Sequence, residues 1–178
     1  MTSDRLTALV RTIPDFPKPG ILFRDITTLL ADGAGLRALV GQLAEIARPL
    51  DPDLIVGIEA RGFILGAALA TVLGKGFVPV RKRGKLPGKT VGIDYVLEYG
   101  TDRLELHEGQ VPARARVLLV DDLIATGGTA IAAAQLLREQ GASVLMALFA
   151  IGLPDLGGMA ALEAEGVAAR AIMAFEGD

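Results

Sequence analysis

Apolar positions along the chain gather into five short runs: Leu54–Ile58 (LIVGI), Phe77–Arg81, Val117–Val120 (VLLV), Ser143–Ile151 and Ala169–Phe175. Each has the length of a strand. Between them the spacing turns helical. Gly35–Arg48 places Leu36, Leu39, Val40, Leu43, Ile46 and Ala47 on one face, and Pro49 and Pro52 end it. Gly62–Leu73, Gly127–Glu139 and Gly158–Ala164 also predict helices, with Gly141 just past the second as a stop signal. Thr2–Val10 predicts a short helix opened by a Ser or Thr cap. Strands alternating with helices predict an α/β protein, a parallel sheet wound with right-handed crossovers. Without repeat, linker or low-complexity segment, residues 1–178 read as one domain.

Two segments depart from this alternation. Pro14, Pro17 and Pro19 forbid regular structure, and Gly20 permits a sharp turn, so residues 1–34 carry an N-terminal flap. Thr90–Glu108 alternates polar and apolar residues. It predicts two extended arms with a turn near Gly100–Asp102, and residues 88–110 then form an inserted hairpin. Its polarity predicts that the hairpin stands away from the main sheet.

Composition narrows the chemistry. The chain has 51% hydrophobic residues but only 4% aromatics. That aliphatic bias suits buried parallel strands under Ala-rich helices. There is no cysteine, which excludes disulfides, thiolate metal sites and cysteine nucleophiles. A single histidine, His107, excludes a multi-histidine metal site within one chain, and it reads as a surface residue of the second arm. No apolar stretch reaches membrane-span length, and no signal peptide is evident, so a soluble cytoplasmic protein is expected. The net charge of −3 argues against nucleic acid as a partner. Yet five of the 18 basic residues fall in Arg81–Lys89 (RKRGKLPGK). On charge alone this is a local anion site or a solvated loop.

The most informative segment is Val117–Thr129 (VLLVDDLIATGGT). A buried strand delivers Asp121 and Asp122 to its C-terminal end, where ligands bind in open α/β sheets. Ala125, Thr126, Gly127, Gly128 and Thr129 follow at a helix start. The glycines leave backbone N–H groups free to surround an anion, the threonines add hydroxyls, and the helix N-terminus adds positive potential. Two carboxylates touching a phosphate would repel it, but carboxylates accept hydrogen bonds from a sugar diol. Phosphate at one end and diol at the other describe a ribose 5-phosphate. The turn is neither a Walker A loop nor a G-x-G-x-x-G turn.

This segment resembles the diphosphoribosyl-binding motif of the type I phosphoribosyltransferases. Phe16–Asp25 (FPKPGILFRD), Val56–Gly66 (VGIEARGFILG), Val80–Gly88 (VRKRGKLPG) and Tyr95–Gly100 (YVLEYG) resemble signatures of the adenine-using members of that family, in the family's order. The resemblance implies transfer of a 5-phosphoribosyl group from 5-phosphoribosyl 1-diphosphate to adenine. It implies diphosphate binding by Arg61, Arg81, Lys82 and Lys85, with a non-proline cis peptide placed at Glu59–Ala60. It implies adenine packed against Leu22, Phe23 and Arg24, and Glu98 as the acid–base residue with Tyr99 beside it. Mg²⁺ is expected to arrive with the diphosphate. A homodimer is implied because the basic loop of this family can serve the neighbouring subunit's site. From the residues alone, Leu22–Phe23 equally suits a core pair, and a lone Glu98 on a polar hairpin is ordinarily solvated. Two alternatives stay open: another base on the same fold, or a regulator that binds the donor without turning it over.

Overall fold

The computed structural model describes residues 2–96 and 100–177. Among them, seven strands form one sheet in the order β5-β6-β4-β3-β7-β8-β9. These are β3 (Leu54–Ile58), β4 (Gly76–Lys82), β5 (Thr90–Val96), β6 (Thr101–His107), β7 (Arg116–Ile124), β8 (Ser143–Gly152) and β9 (Ala169–Ala174). Strands β4, β3, β7, β8 and β9 run parallel, as the alternation of apolar runs and helical spacing requires.

Helices cover both faces. Helices α1 (Ser3–Thr7), α2 (Thr27–Ala31), α3 (Gly33–Ala47) and α4 (Arg61–Leu73) bury one layer with Leu39, Leu43, Leu65 and Leu118. Helices α5 (Gly128–Glu139) and α6 (Gly158–Ala164) bury the other with Val56, Leu119, Leu136 and Phe149. The small residues of α5 (Ala130, Ala132, Ala133, Ala134) let it lie close to the sheet. Helix α3 is capped by Asp32, whose carboxylate accepts from Gly35 N at 2.7 Å. Thr2 flanks α1 but makes no side-chain cap bond, so the expected Ser or Thr cap is not formed there.

The two departing segments differ from expectation. The stretch from Pro14 to Gly20 is the irregular connection expected, but the segments flanking it, β1 (Arg11–Pro14) and β2 (Leu22–Asp25), pair as an antiparallel hairpin. The prolines sit at its end and in its connection, where no ladder hydrogen bond is lost. The inserted hairpin does not stand away from the sheet. Strand β6 pairs with β4 through Arg81 opposite Glu105 and Lys82 opposite Leu104. Leu104 and Leu106 are fully buried, so the inward half of the alternation was core-facing. Strand β7 is also longer than its apolar run and carries Asp121 and Asp122 within it.

The parallel strands change winding direction between β3 and β7. Crevices that take ligands in open α/β sheets lie outside the strand C-termini at such a point. There the turn Glu59–Ala60 leaves β3, and the turn Ala125–Gly127 leaves β7.

Candidate active site

Two adjoining cavities open at that edge. The first, of about 270 Å³, is lined by Glu59, Arg61, Lys82, both aspartates and the whole run from Leu123 to Ala130. The turn is shaped for an anion. Gly127 has φ +90 and caps the 12-residue helix α5 at its N-terminus. It also rests on α6: a Cβ on Gly158 would lie 2.2 Å from the Ala125 carbonyl oxygen and 2.7 Å from Gly127 N. Gly158 N donates to that Ala125 oxygen at 3.0 Å. Two backbones thus meet where no side chain fits, and the rear wall of the turn is the start of α6.

The acids face different environments. Asp122 is 6% exposed and accepts a hydrogen bond from Arg61 Nε in an ion pair. Desolvation opposes the Arg61 cation, but its bond to Asp122 and the nearby charge of Asp121 outweigh that, and its pKa is raised. Among the described residues Asp121 has no ion-pair partner; its Oδ1 accepts from Asp122 N at 2.8 Å. Burial, and then the charge of Asp122, push its carboxyl well above the usual range. A side chain at position 62 would collide with Asp121 Oδ1 at 2.8 Å, so Gly62 lets α4 begin against the acid pair. The peptide Glu59–Ala60 is cis, as expected.

The second cavity, of about 790 Å³, is more apolar. Leu22, Phe23 and Arg24 of β2 form one wall; Leu153 and Leu156 form the other; Arg61, Ala125, Thr126 and Gly128 are shared with the first cavity. Phe23 is held edge-on by Phe16, with ring centroids 5.2 Å apart. The guanidinium of Arg24 points toward the C-terminal segment: Nη1 donates to Thr12 Oγ1 at 2.8 Å, Nη2 to the Glu176 carbonyl at 2.7 Å. Its carbon lies 4.9 Å from the Phe175 ring centroid. Arg24 braces the β2 wall.

The basic stretch divides. Lys82 lines the first cavity. Arg81 does not: its Nε donates to Glu59 Oε2 at 3.0 Å and its Nη1 to the Lys85 carbonyl at 3.0 Å. Lys85 is exposed and outside both linings. His107 ends β6 opposite Thr90, also outside both. Glu98 and Tyr99 lie outside the described residues. Val96, two residues before Glu98, lines the second cavity.

Several site residues escaped the sequence reading. Leu153 and Leu156 follow β8, and their signal was position after a strand end, between Gly152 and Gly157. Gly158 gave none, because its partner, the phosphate turn, is far away in the chain. Tyr95, whose hydroxyl lies 3.4 Å from Thr129 Oγ1, carried no signal beyond its place at the start of YVLEYG.

Among the described residues, no group of three or more His, Asp or Glu side chains is placed to hold a metal ion. No helix among them is long and apolar enough to cross a membrane.

Comparison with known proteins agrees with this geometry. Residues 26–152 match the phosphoribosyl transferase domain. An adenine phosphoribosyltransferase of Sphingopyxis alaskensis is 62% identical over 173 residues, 97% of this chain and 94% of its own. That of Erythrobacter litoralis is 59% identical over 177 residues, 99% of both chains. Among solved structures, the adenine phosphoribosyltransferase of Thermoanaerobacter pseudethanolicus superposes with a TM-score of 0.93 at 44% identity, covering 98% of this chain and all of that one. The Saccharomyces cerevisiae enzyme, solved with adenine and an imino-altritol bisphosphate, gives 0.88 at 37% identity, covering 96% and 97%. A cleft with a glycine turn, an acid pair and an adjoining apolar pocket thus sits on a chain that belongs to the phosphoribosyltransferase family, in its adenine phosphoribosyltransferase branch.

Proposed function

We propose that this pentosyltransferase joins N9 of adenine to C1′ of 5-phosphoribosyl 1-diphosphate, giving AMP and diphosphate, the salvage of a free purine. The observation that carries the reading is the shared wall of the two cavities. A ribose seated on the acid pair, with its 5-phosphate on Ala125–Thr129, leaves C1′ facing the apolar pocket across Arg61.

The N–H groups and hydroxyls of Ala125, Thr126, Gly127, Gly128 and Thr129 hold the 5-phosphate. Asp121 and Asp122 accept from the 2- and 3-hydroxyls and place negative charge beside the cationic sugar ring. The C1′–O bond to diphosphate breaks with its electron pair leaving on oxygen, and N9 bonds to C1′. Arg61 and Lys82 stabilise the departing charge. Arg81 and Lys85 are assigned to the same diphosphate through the neighbouring subunit of a homodimer. Adenine packs on Leu22 and Phe23, with the backbone of Arg24 reading its edge and Leu153 and Leu156 opposite. Glu98 takes the proton lost from the purine. The hairpin of residues 88–110 covers the cleft, and residues 1–34 form its adenine side, within one domain over 1–178. The protein works in the cytoplasm.

Mg²⁺ fits this site only as a companion of the diphosphate. The acid pair is two groups, one already bonded to Arg61, so most ligands must come from the donor. Bound there, it would neutralise diphosphate charge.

A single assay tests the reaction. Protein supplied with adenine, the donor and Mg²⁺ should release AMP and diphosphate in equal amounts, with hypoxanthine a poor substitute. Equal use of hypoxanthine would replace the base assignment. Donor binding without any product would make the protein a regulator.

A further inference from the structure

Lys82 reaches the donor cavity already occupied. Its Nζ lies 3.2 Å from Asp102 Oδ2, with side chains 52% and 21% exposed. Asp102 is fixed on β6: its Oδ1 accepts from Arg103 N at 2.7 Å. It stands opposite Tyr95, whose hydroxyl approaches the phosphate turn at Thr129. The proposed chemistry has no use for this third carboxylate, since the diol already has Asp121 and Asp122. Its Oδ2 is turned to the cation that the diphosphate needs, with the Tyr95 hydroxyl also acting on the carboxylate.

Resting on the donor assignment above, we infer that Asp102 is a positioning residue that holds the Lys82 ammonium while the site is empty and competes with diphosphate for it. Diphosphate carries more charge than one carboxylate, so the ammonium passes to it on binding. When the product leaves, Asp102 takes the ammonium back. The competitor lowers diphosphate affinity and favours release.

The exchange runs between charged groups. Burial opposes ionisation of Asp102, but the Arg103 N–H and Lys82 outweigh it and hold its carboxyl below the usual range. The hydrogen bond that Lys82 donates to Asp102 raises the lysine's pKa in turn. Tyr95 and Glu59 are the other groups near that lysine. The Arg103 side chain faces away, donating to Asp94 at 3.1 Å and Glu105 at 3.2 Å, so it does not neutralise Asp102.

The test is calorimetric titration of the full chain with magnesium diphosphate. Asp102→Asn keeps an acceptor for Arg103 N, and Asp102→Thr is a second way to remove the carboxylate. Either variant should bind diphosphate roughly two- to fivefold tighter, the scale of a half-exposed ion pair. Asp102→Glu should return affinity toward that of the parent. In a Lys82→Met background the Asp102 change should do nothing. Unchanged or weaker binding overturns the inference, as does the same gain with and without Lys82. If the parent makes AMP and binds diphosphate, those failures leave the reaction intact. If the folded parent binds neither diphosphate nor donor, the donor assignment falls and takes this inference with it.

Discussion

On the side proposed for the donor, five consecutive residues, Ala125–Thr129, make the glycine turn, and the acids Asp121 and Asp122 precede it on the same strand. On the base side, one wall comes from Leu22–Arg24 and the other from Leu153 and Leu156, brought together from opposite ends of the chain. In the proposed reaction the donor half works through backbone dipoles and charge, and its residues answer to what an anion and a diol require. The base half works through apolar area, and many side chains of similar size would serve. A local, polar half-site and a dispersed, apolar one should therefore fail separately when altered.

The largest effect belongs to neither half. Glu98→Gln should cut turnover about 100-fold or more, the scale of general acid–base catalysis, while donor affinity stays near that of the parent. Steady-state kinetics checks this, and unchanged turnover would remove the assignment. Gly158→Ala attacks the donor half from behind. Its methyl group would meet the Ala125 oxygen at 2.2 Å, so the turn must shift. A displacement of this kind should raise donor KM by about tenfold or more and leave adenine KM alone. A rise in both would show that the halves are mechanically coupled. Phe23→Ala is the mirror experiment. Losing an aromatic face against a base should raise adenine KM about fivefold or more, with donor KM unchanged.

The smallest effect is on stability and has the opposite sign. Asp121 is raised by burial and by Asp122, so its contribution is fully present below the unfolded value of 3.8 and is lost as pH rises through the folded value. At neutral pH the burial of Asp121 beside Asp122 therefore costs stability. Asp121→Asn should raise the melting temperature at pH 7, less so near pH 4, while lowering activity. Asp25 behaves oppositely: Thr27 and then Arg11 lower its pKa to about 2, so its stabilisation is lost only as pH falls from 3.8 through that value. A lower melting temperature for Asp121→Asn at pH 7 would mean that the acid is stabilised in the free protein.

The same contrast explains what the sequence disclosed. The parallel sheet and its helices follow from apolar runs and spacing, and the phosphate turn is legible because one short segment carries strand, acids and glycines. Gly158 and Leu156 were not legible, since their roles exist only after β8 and α6 fold against β7. The hairpin was misplaced because its exposed polar residues concealed Leu104 and Leu106 on the buried side. The pairing of β1 with β2 was not legible because prolines at a strand end and in a connection mark only the break, not the strands on either side of it. Among the cations, sequence gave Arg81, Lys82 and Lys85 equal standing. Only packing shows that Glu59 claims Arg81 and that Lys82 faces the cavity.

The most direct test of a two-part cleft is a crystal structure of the protein with AMP bound. The 5-phosphate should lie within hydrogen-bonding distance of the Thr126–Thr129 backbone N–H groups, the ribose hydroxyls on Asp121 and Asp122, and the adenine ring between Phe23 and Leu156. A phosphate seated instead on Arg81–Lys85, or a base lying outside the Leu22–Leu156 pocket, would contradict it.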